Sequence, residues 1–104
     1  MLIRIVKLTF SEENISSFEA IFEETKEMIR NFDGCQFLEL YQDNENPNVF
    51  FTYSKWTDDS YLQGYRNSDF FTSVWSRTKV LFSERPVAWS VCNRFSLVYH
   101  VSNF

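Results

Sequence analysis

The 104-residue chain holds one histidine, two glycines and two cysteines, and these bound its chemistry before any element is assigned. With His100 alone near the C-terminal end, neither a Ser-His-Asp arrangement nor a His-rich metal site has enough members, and no metal is expected. Gly34 and Gly64 cannot build a glycine-rich phosphate loop, so a nucleotide cofactor is not expected either. Cys35 and Cys92 are too distant in sequence for a CxxC site and read as small hydrophobes. Glu12, Glu13, Glu19, Glu23, Glu24 and Glu27 read mostly as the solvated side of a helix, and Asp58, Asp59 and Asp69 as helix caps rather than acids or bases.

What remains is an aromatic and polar set. Twelve Phe, five Tyr and three Trp make up 19% of the chain, more ring surface than one small core readily hides. Tyr53, Trp56, Tyr61, Tyr65, Trp75 and Trp89, with Phe71 beside them, are candidates for the walls of a site for a small planar ligand. Lys7, Arg66, Asn67 and Arg77 are its candidate polar partners. The alternative for each ring is core or self-interface. Tyr65 and Trp75 stand out because they flank a helix break, where a kink opens a gap, and because a buried Tyr O–H or Trp N–H needs a polar partner.

The elements that position these residues follow from periodicity. Leu2 to Phe10 carries Leu2, Val6, Leu8 and Phe10 on one parity and Ile3 and Ile5 on the other, a strand with two largely covered faces. Ser11 is a candidate cap for an amphipathic helix whose apolar side is Ile15, Phe18, Ile21, Phe22, Thr25, Met28, Ile29 and Phe32, ended by Asp33-Gly34. Cys35 to Gln42 and Val49 to Trp56 read as a hairpin across a cluster of turn formers. Thr57-Asp58-Asp59 caps a short helix, and Asn67-Ser68-Asp69 breaks it and starts a second carrying Phe70, Phe71, Val74, Trp75, Thr78, Leu81 and Phe82. Pro86 ends that helix, and Val87 to Cys92 is a last strand. The order βαββαβ is the ferredoxin-like α+β arrangement, an antiparallel sheet with both helices on one face. Its other face is partly apolar, so a second copy of the sheet is expected to cover it, making a homodimer. We read one domain over 1–92 and a tail over 93–104 that is an extra strand, a swapped arm or a frayed end.

Composition narrows the partners. Fourteen acids against ten scattered bases give a net charge of -4, so neither nucleic acid nor anionic membrane is an expected partner. The N-terminal residues do not read as a leader and no apolar run spans a bilayer, so a cytoplasmic location is expected.

The stretch Trp56 to Phe71 (WTDDSYLQGYRNSDFF) resembles the central segment of the antibiotic biosynthesis monooxygenase (ABM) family: a strand-ending Trp, a short acid-capped helix, then a Ser-Asp-x-Phe step into a longer helix. In element order the resemblance covers about 2–92. It implies a dimeric α+β barrel built from two ferredoxin-like sheets, in a family that includes cofactor-free oxygenases of phenolic polyketides, quinol oxygenases and haem-degrading enzymes. The haem-degrading branch has an axial His where this chain has Trp75, a Trp where it has Tyr65, and an Asn on a first strand that here has none. The resemblance therefore implies no haem, and no cofactor is expected. It implies instead a cofactor-independent monooxygenase of a small aromatic or quinol-type substrate, with Tyr65, Trp75, Arg66 and Lys7 as catalytic candidates. Tyr53, Trp56, Tyr61, Asn67, Phe71 and Trp89 are the substrate-binding candidates. The base would be Lys7, or a Tyr made more acidic by Arg66 or Arg77. The alternative is a non-catalytic dimeric domain of the same fold that binds a small molecule or serves in stress.

Overall fold

Alternation along Leu2–Thr9 makes β1, the strand from which the rest of the sheet is built. In the computed structural model, which describes residues 1–98, β1 pairs antiparallel on one side with β3 (Val49–Trp56) and on the other with β4 (Val87–Cys92). β2 (Cys35–Gln42) joins the outer edge of β3, giving the order β2-β3-β1-β4. Register then sorts the side chains into rows. One face carries Leu38, Ser54, Arg4 and Ser90 in a row across all four strands, flanked by a row of Leu40, Thr52, Val6 and Ala88 and by one of Cys35, Trp56, Leu2 and Cys92. The other face carries Glu39, Tyr53, Ile5 and Trp89, with Phe51, Lys7 and Val87 on one side and Phe37, Lys55, Ile3 and Val91 on the other.

Three helices cover the first of these faces over β1, β2 and β3, while β4 stays exposed along its length. α1 (Ile15–Arg30) buries Phe18, Ile21, Thr25 and Ile29, but Met28, expected on its apolar side, is 58% exposed. Its start also differs from expectation. Ser11 makes no side-chain cap; a 3-10 turn at Glu12–Asn14 precedes the helix, and the Asn14 side-chain Nδ2 donates across to the Leu81 carbonyl at 3.3 Å. After the helix, Gly34 takes φ 86°, a conformation L side chains rarely adopt, and a Cβ there would overlap the Tyr61 ring. The β2–β3 turn is held by the Asp43 carboxylate, which accepts from the Glu45 and Asn46 amides.

α2 (Asp59–Arg66) and α3 (Asp69–Thr78) each begin on a capping side chain: Asp58 accepts from the Ser60 amide and Ser68 from the Phe71 amide. A further 3-10 turn, Lys79–Leu81, leads toward β4.

The core forms two clusters rather than one. Toward one end of the sheet Phe10 is fully buried, its ring 4.3 Å from Phe18, 5.1 Å from Phe82 and 5.9 Å from Phe50. Toward the other, Trp56 is 1% exposed among Cys35, Leu62, Leu2, Phe32 and Tyr65. No helix among the described residues is long and apolar enough to cross a membrane.

Candidate functional site

Between the two aromatic clusters the helices do not meet the sheet, and a cavity of about 340 Å³ remains, near the lower end of the ~300–1,000 Å³ typical of ligand pockets. Its floor is the helix-facing side of the sheet: Arg4, Val6 and Leu8 from β1, Thr52, Ser54 and Trp56 from β3, Leu38 from β2 and Ala88 from β4. α1 supplies one wall, with Phe18, Phe22 and Thr25 among its members. The broken second helix supplies the other: Tyr65 and Arg66 at the end of α2, Phe71, Val74, Trp75 and Thr78 along α3.

The break is what aims the rings. Ser68 accepts from the Phe71 amide at 3.1 Å while its own hydroxyl donates to the Tyr65 carbonyl at 2.6 Å, so one side chain ties the end of α2 to the start of α3. Tyr65 stacks on Trp56 at 5.1 Å and meets Phe71 edge-on at 5.0 Å. Trp75 lies nearly parallel to Phe71 at 5.9 Å and contacts Phe82. A continuous aromatic surface thus runs from Trp56 through Tyr65 and Phe71 to Trp75.

The polar groups are few. The Trp56 indole donates to the Ser54 hydroxyl at 3.0 Å, and Thr25 and Thr78 spend their hydroxyl protons on the carbonyls of Ile21 and Val74. Arg4 donates to Ser90 at 2.9 Å. Burial lowers the pKa of Arg4 and the neighbouring positive charge of Arg66 adds to the effect, with Asp59 opposing; a guanidinium remains charged regardless. Burial drives the Tyr65 phenol well above its ordinary value, the nearby Cys35 pushing the same way. Among the described lining residues there is no carboxylate, imidazole or thiol.

Of the residues singled out from the sequence, Trp56, Tyr65, Arg66, Phe71 and Trp75 converge on this cavity. Lys7, Tyr53 and Trp89 lie on the opposite face of the sheet. Tyr61 packs over Gly34 and Asn67 is exposed at the helix break, neither among the lining residues. Arg77 is held away by Glu24 at 2.8 Å. The two sources considered for a base do not serve this cavity: Lys7 faces away from it, and burial makes Tyr65 less acidic, not more. His100 lies outside the described residues, as does the end of the tail. Arg4, Ser54 and Thr52 were missed. Arg4 had a readable signal, a charged residue on the same parity as Leu2, Val6 and Leu8.

A four-stranded antiparallel sheet roofed by helices over an aromatic-walled hollow defines a ferredoxin-like α+β domain with a ligand-sized cavity. The chain belongs to the antibiotic biosynthesis monooxygenase family, whose sequence model matches residues 1–74. Solved structures agree in fold. One described as an antibiotic biosynthesis monooxygenase superposes with a TM-score of 0.84 at 19% identity, over 89% of this chain and 98% of that one. Rv0793 from Mycobacterium tuberculosis gives 0.84 at 13% identity, over 93% and 98%. A conserved protein from Methanosarcina mazei Go1 gives 0.82 at 22% identity, over 88% and 91%. No curated protein matches the chain by sequence.

Proposed function

We propose that the cavity binds a small planar aromatic or quinol-type molecule and that the domain acts on it as a cofactor-independent monooxygenase. The observation that carries this reading is the aromatic surface of Trp56, Tyr65, Phe71 and Trp75 facing an otherwise apolar hollow with two cationic side chains, Arg4 and Arg66. Such a site orients a ring and strips it of water, which is most of what oxygenation of an electron-rich substrate needs from a protein.

The chemistry runs on the substrate's own electrons. An ionised phenol or enol passes one electron to O₂, and the radical pair joins at carbon to give a peroxide. Loss of water leaves a carbonyl, so one oxygen atom enters the product, the other leaves as water, and the substrate supplies both hydrogens. Tyr65 is a ring wall in this scheme, not a base, since its phenol holds its proton far above neutrality. The guanidiniums of Arg4 and Arg66 favour the ionised substrate, and bulk water takes the proton.

Oxygen-electrode measurements with a panel of anthrones and quinols test the reading. Protein-dependent uptake that falls in Trp75→Ala supports it, and no uptake across the panel overturns it. A second reading, a binding domain without turnover, is favoured by the absence of any carboxylate, imidazole or thiol among the described lining residues. Saturable binding of the same compounds without oxygen consumption would establish it.

We propose further that two copies pair through the open sheet face, where Val87, Trp89 and Val91 are each 40% or more exposed. A light-scattering mass near 12.5 kDa rather than twice that would overturn the pairing.

A further inference from the structure

The row Leu38, Ser54, Arg4 and Ser90 is the anomaly of the covered face. Its neighbours are Leu40, Thr52, Val6 and Ala88 on one side and Cys35, Trp56, Leu2 and Cys92 on the other, and the helices above it offer mostly apolar side chains. Arg4 is part-buried there, and its guanidinium gives up a share of its hydration that the apolar neighbours do not replace. The usual compensation is a carboxylate; Asp59 acts on Arg4 in that sense, but without an ion-pair contact. Among the described residues, the ion pairs within 4 Å are Lys26 with Glu23 and Arg77 with Glu24, both on the outer surface, and neither involves Arg4 or Arg66. One bond of the Arg4 fork is accounted for, that from Nη1 to the Ser90 hydroxyl, out of five N–H donors. A second arginine, the exposed Arg66 at the end of α2, borders the same cavity, and its charge acts on Arg4.

Two like charges bordering one apolar hollow repel each other, and an anion between them would remove that repulsion while occupying donors that are otherwise left to water. Arg66 alone has a local explanation, since a cation at a helix C-terminus is favoured by the dipole. Arg4 has none of that kind; it sits mid-strand.

From this juxtaposition we infer that Arg4 and Arg66 form an anion clamp, and that the ligand of the cavity is a planar aromatic carrying an ionised oxygen, a carboxylate or phenolate, held at the guanidinium end with its ring along Tyr65, Phe71 and Trp75. This rests on the cavity being the ring-binding site and deepens that reading by fixing where the ligand's ionised oxygen lies, and so one pole of its orientation. Planar guanidinium forks suit a carboxylate through paired N–H bonds and a phenolate through converging ones.

Titration calorimetry with two probes of one shape tests the clamp: 2-naphthoate, which is anionic, and 2-naphthalenemethanol, which is neutral. The native protein is expected to prefer the acid by about tenfold or more, the scale of one charge-assisted bond pair. Arg4→Met and Arg66→Met, which keep the stem and drop the charge, should each erase most of that preference while the alcohol binds as before; Arg4→Lys should restore part of it. Equal affinity for the two probes overturns the clamp and leaves the ring-binding cavity standing. Failure of both probes to bind the native protein overturns both. Parallel loss of acid and alcohol in the Met variants, with melting temperatures unchanged, also overturns the clamp, because it would assign the arginines to packing. Replacing the acid with 2-naphtholate at alkaline pH distinguishes carboxylate from phenolate as the preferred oxygen.

Discussion

Viewed from the helices, the sheet shows Val6, Leu8, Thr52 and Trp56 around one polar row; viewed from the other side it shows Ile3, Ile5, Phe51, Tyr53 and Trp89 around Lys7 and Lys55. The covered face is filled at both ends and hollow at the centre. On the open face aromatic groups pack on one another: Phe37 meets Tyr53 edge-on at 5.7 Å and the Lys55 ammonium sits 4.7 Å above the Phe37 ring. The same strands thus place ring surface on both sides for different ends. One side leaves room among rings fixed by helices, as a ligand site requires, and the other offers a flat apolar sheet surface of the kind that a second sheet covers.

Truncation on each side separates the two roles most sharply. Phe10→Ala removes a ring that is fully buried among Phe18, Phe50 and Phe82, and is expected to cost about 3–5 kcal/mol in denaturant unfolding, as other deep Phe truncations do. Phe51→Ala, on the open face where the ring is part-buried, should cost about 1–2 kcal/mol in a lone chain, well below Phe10→Ala. An equal cost at high protein concentration, falling on dilution, would show the open face to be covered by a second copy. Ile5→Glu acts on the pairing itself. Between Tyr53 and Trp89 it places a carboxylate at the centre of that face, which a second sheet would strip of water even with Lys7 and Lys55 beside it, and should weaken self-association by about 1–2 kcal/mol, up to about thirtyfold, in sedimentation experiments. Unchanged affinity for 2-naphthoate in the dissociated protein would show that each cavity is complete within one chain; lost affinity would tie the cavity to the pairing.

A smaller change tests the floor of the cavity. Ser54→Ala deprives the buried Trp56 indole of its acceptor, and should cost about 1–3 kcal/mol, the price of a buried donor left without a partner. A cost near zero would mean that water in the cavity takes over the bond, and so that the hollow is wet.

Much of the fold was legible because its signals are local. The apolar alternation of Leu2 to Phe10, the turn formers from Asp43 to Asn48 and the capping Asp58 and Ser68 fix element ends without reference to the rest of the chain. Met28 and Ser11 misled because helical spacing alone does not say where the covered arc ends, or whether a first turn will tighten to 3-10. The site was less legible. Ring type selected Tyr53 and Trp89 together with Tyr65 and Trp75, although strand parity sends the first two to the opposite face from Trp56. Parity also carried the signal for Arg4. What no local pattern holds is the gap itself, which depends on how far α1 and α3 stand from the sheet.

The smallest effect concerns the phenol at the cavity wall. Burial raises the pKa of Tyr65 above its ordinary 10.0, so the folded protein keeps this proton at pH values where the unfolded chain has released it. Stability linked to Tyr65 is then fully present below pH 10 and is lost as pH rises from there toward the raised value. With one more proton held by the folded state, the loss should approach about 1.4 kcal/mol per pH unit within that window. Tyr65→Phe cannot ionise in either state, so its stability should decline less steeply than that of the native protein over the same range. A slope in Tyr65→Phe as steep as that of the native protein would overturn the assignment of this alkaline loss to the phenol at the cavity wall, and with it the desolvation that distinguishes the helix-covered face from the open one.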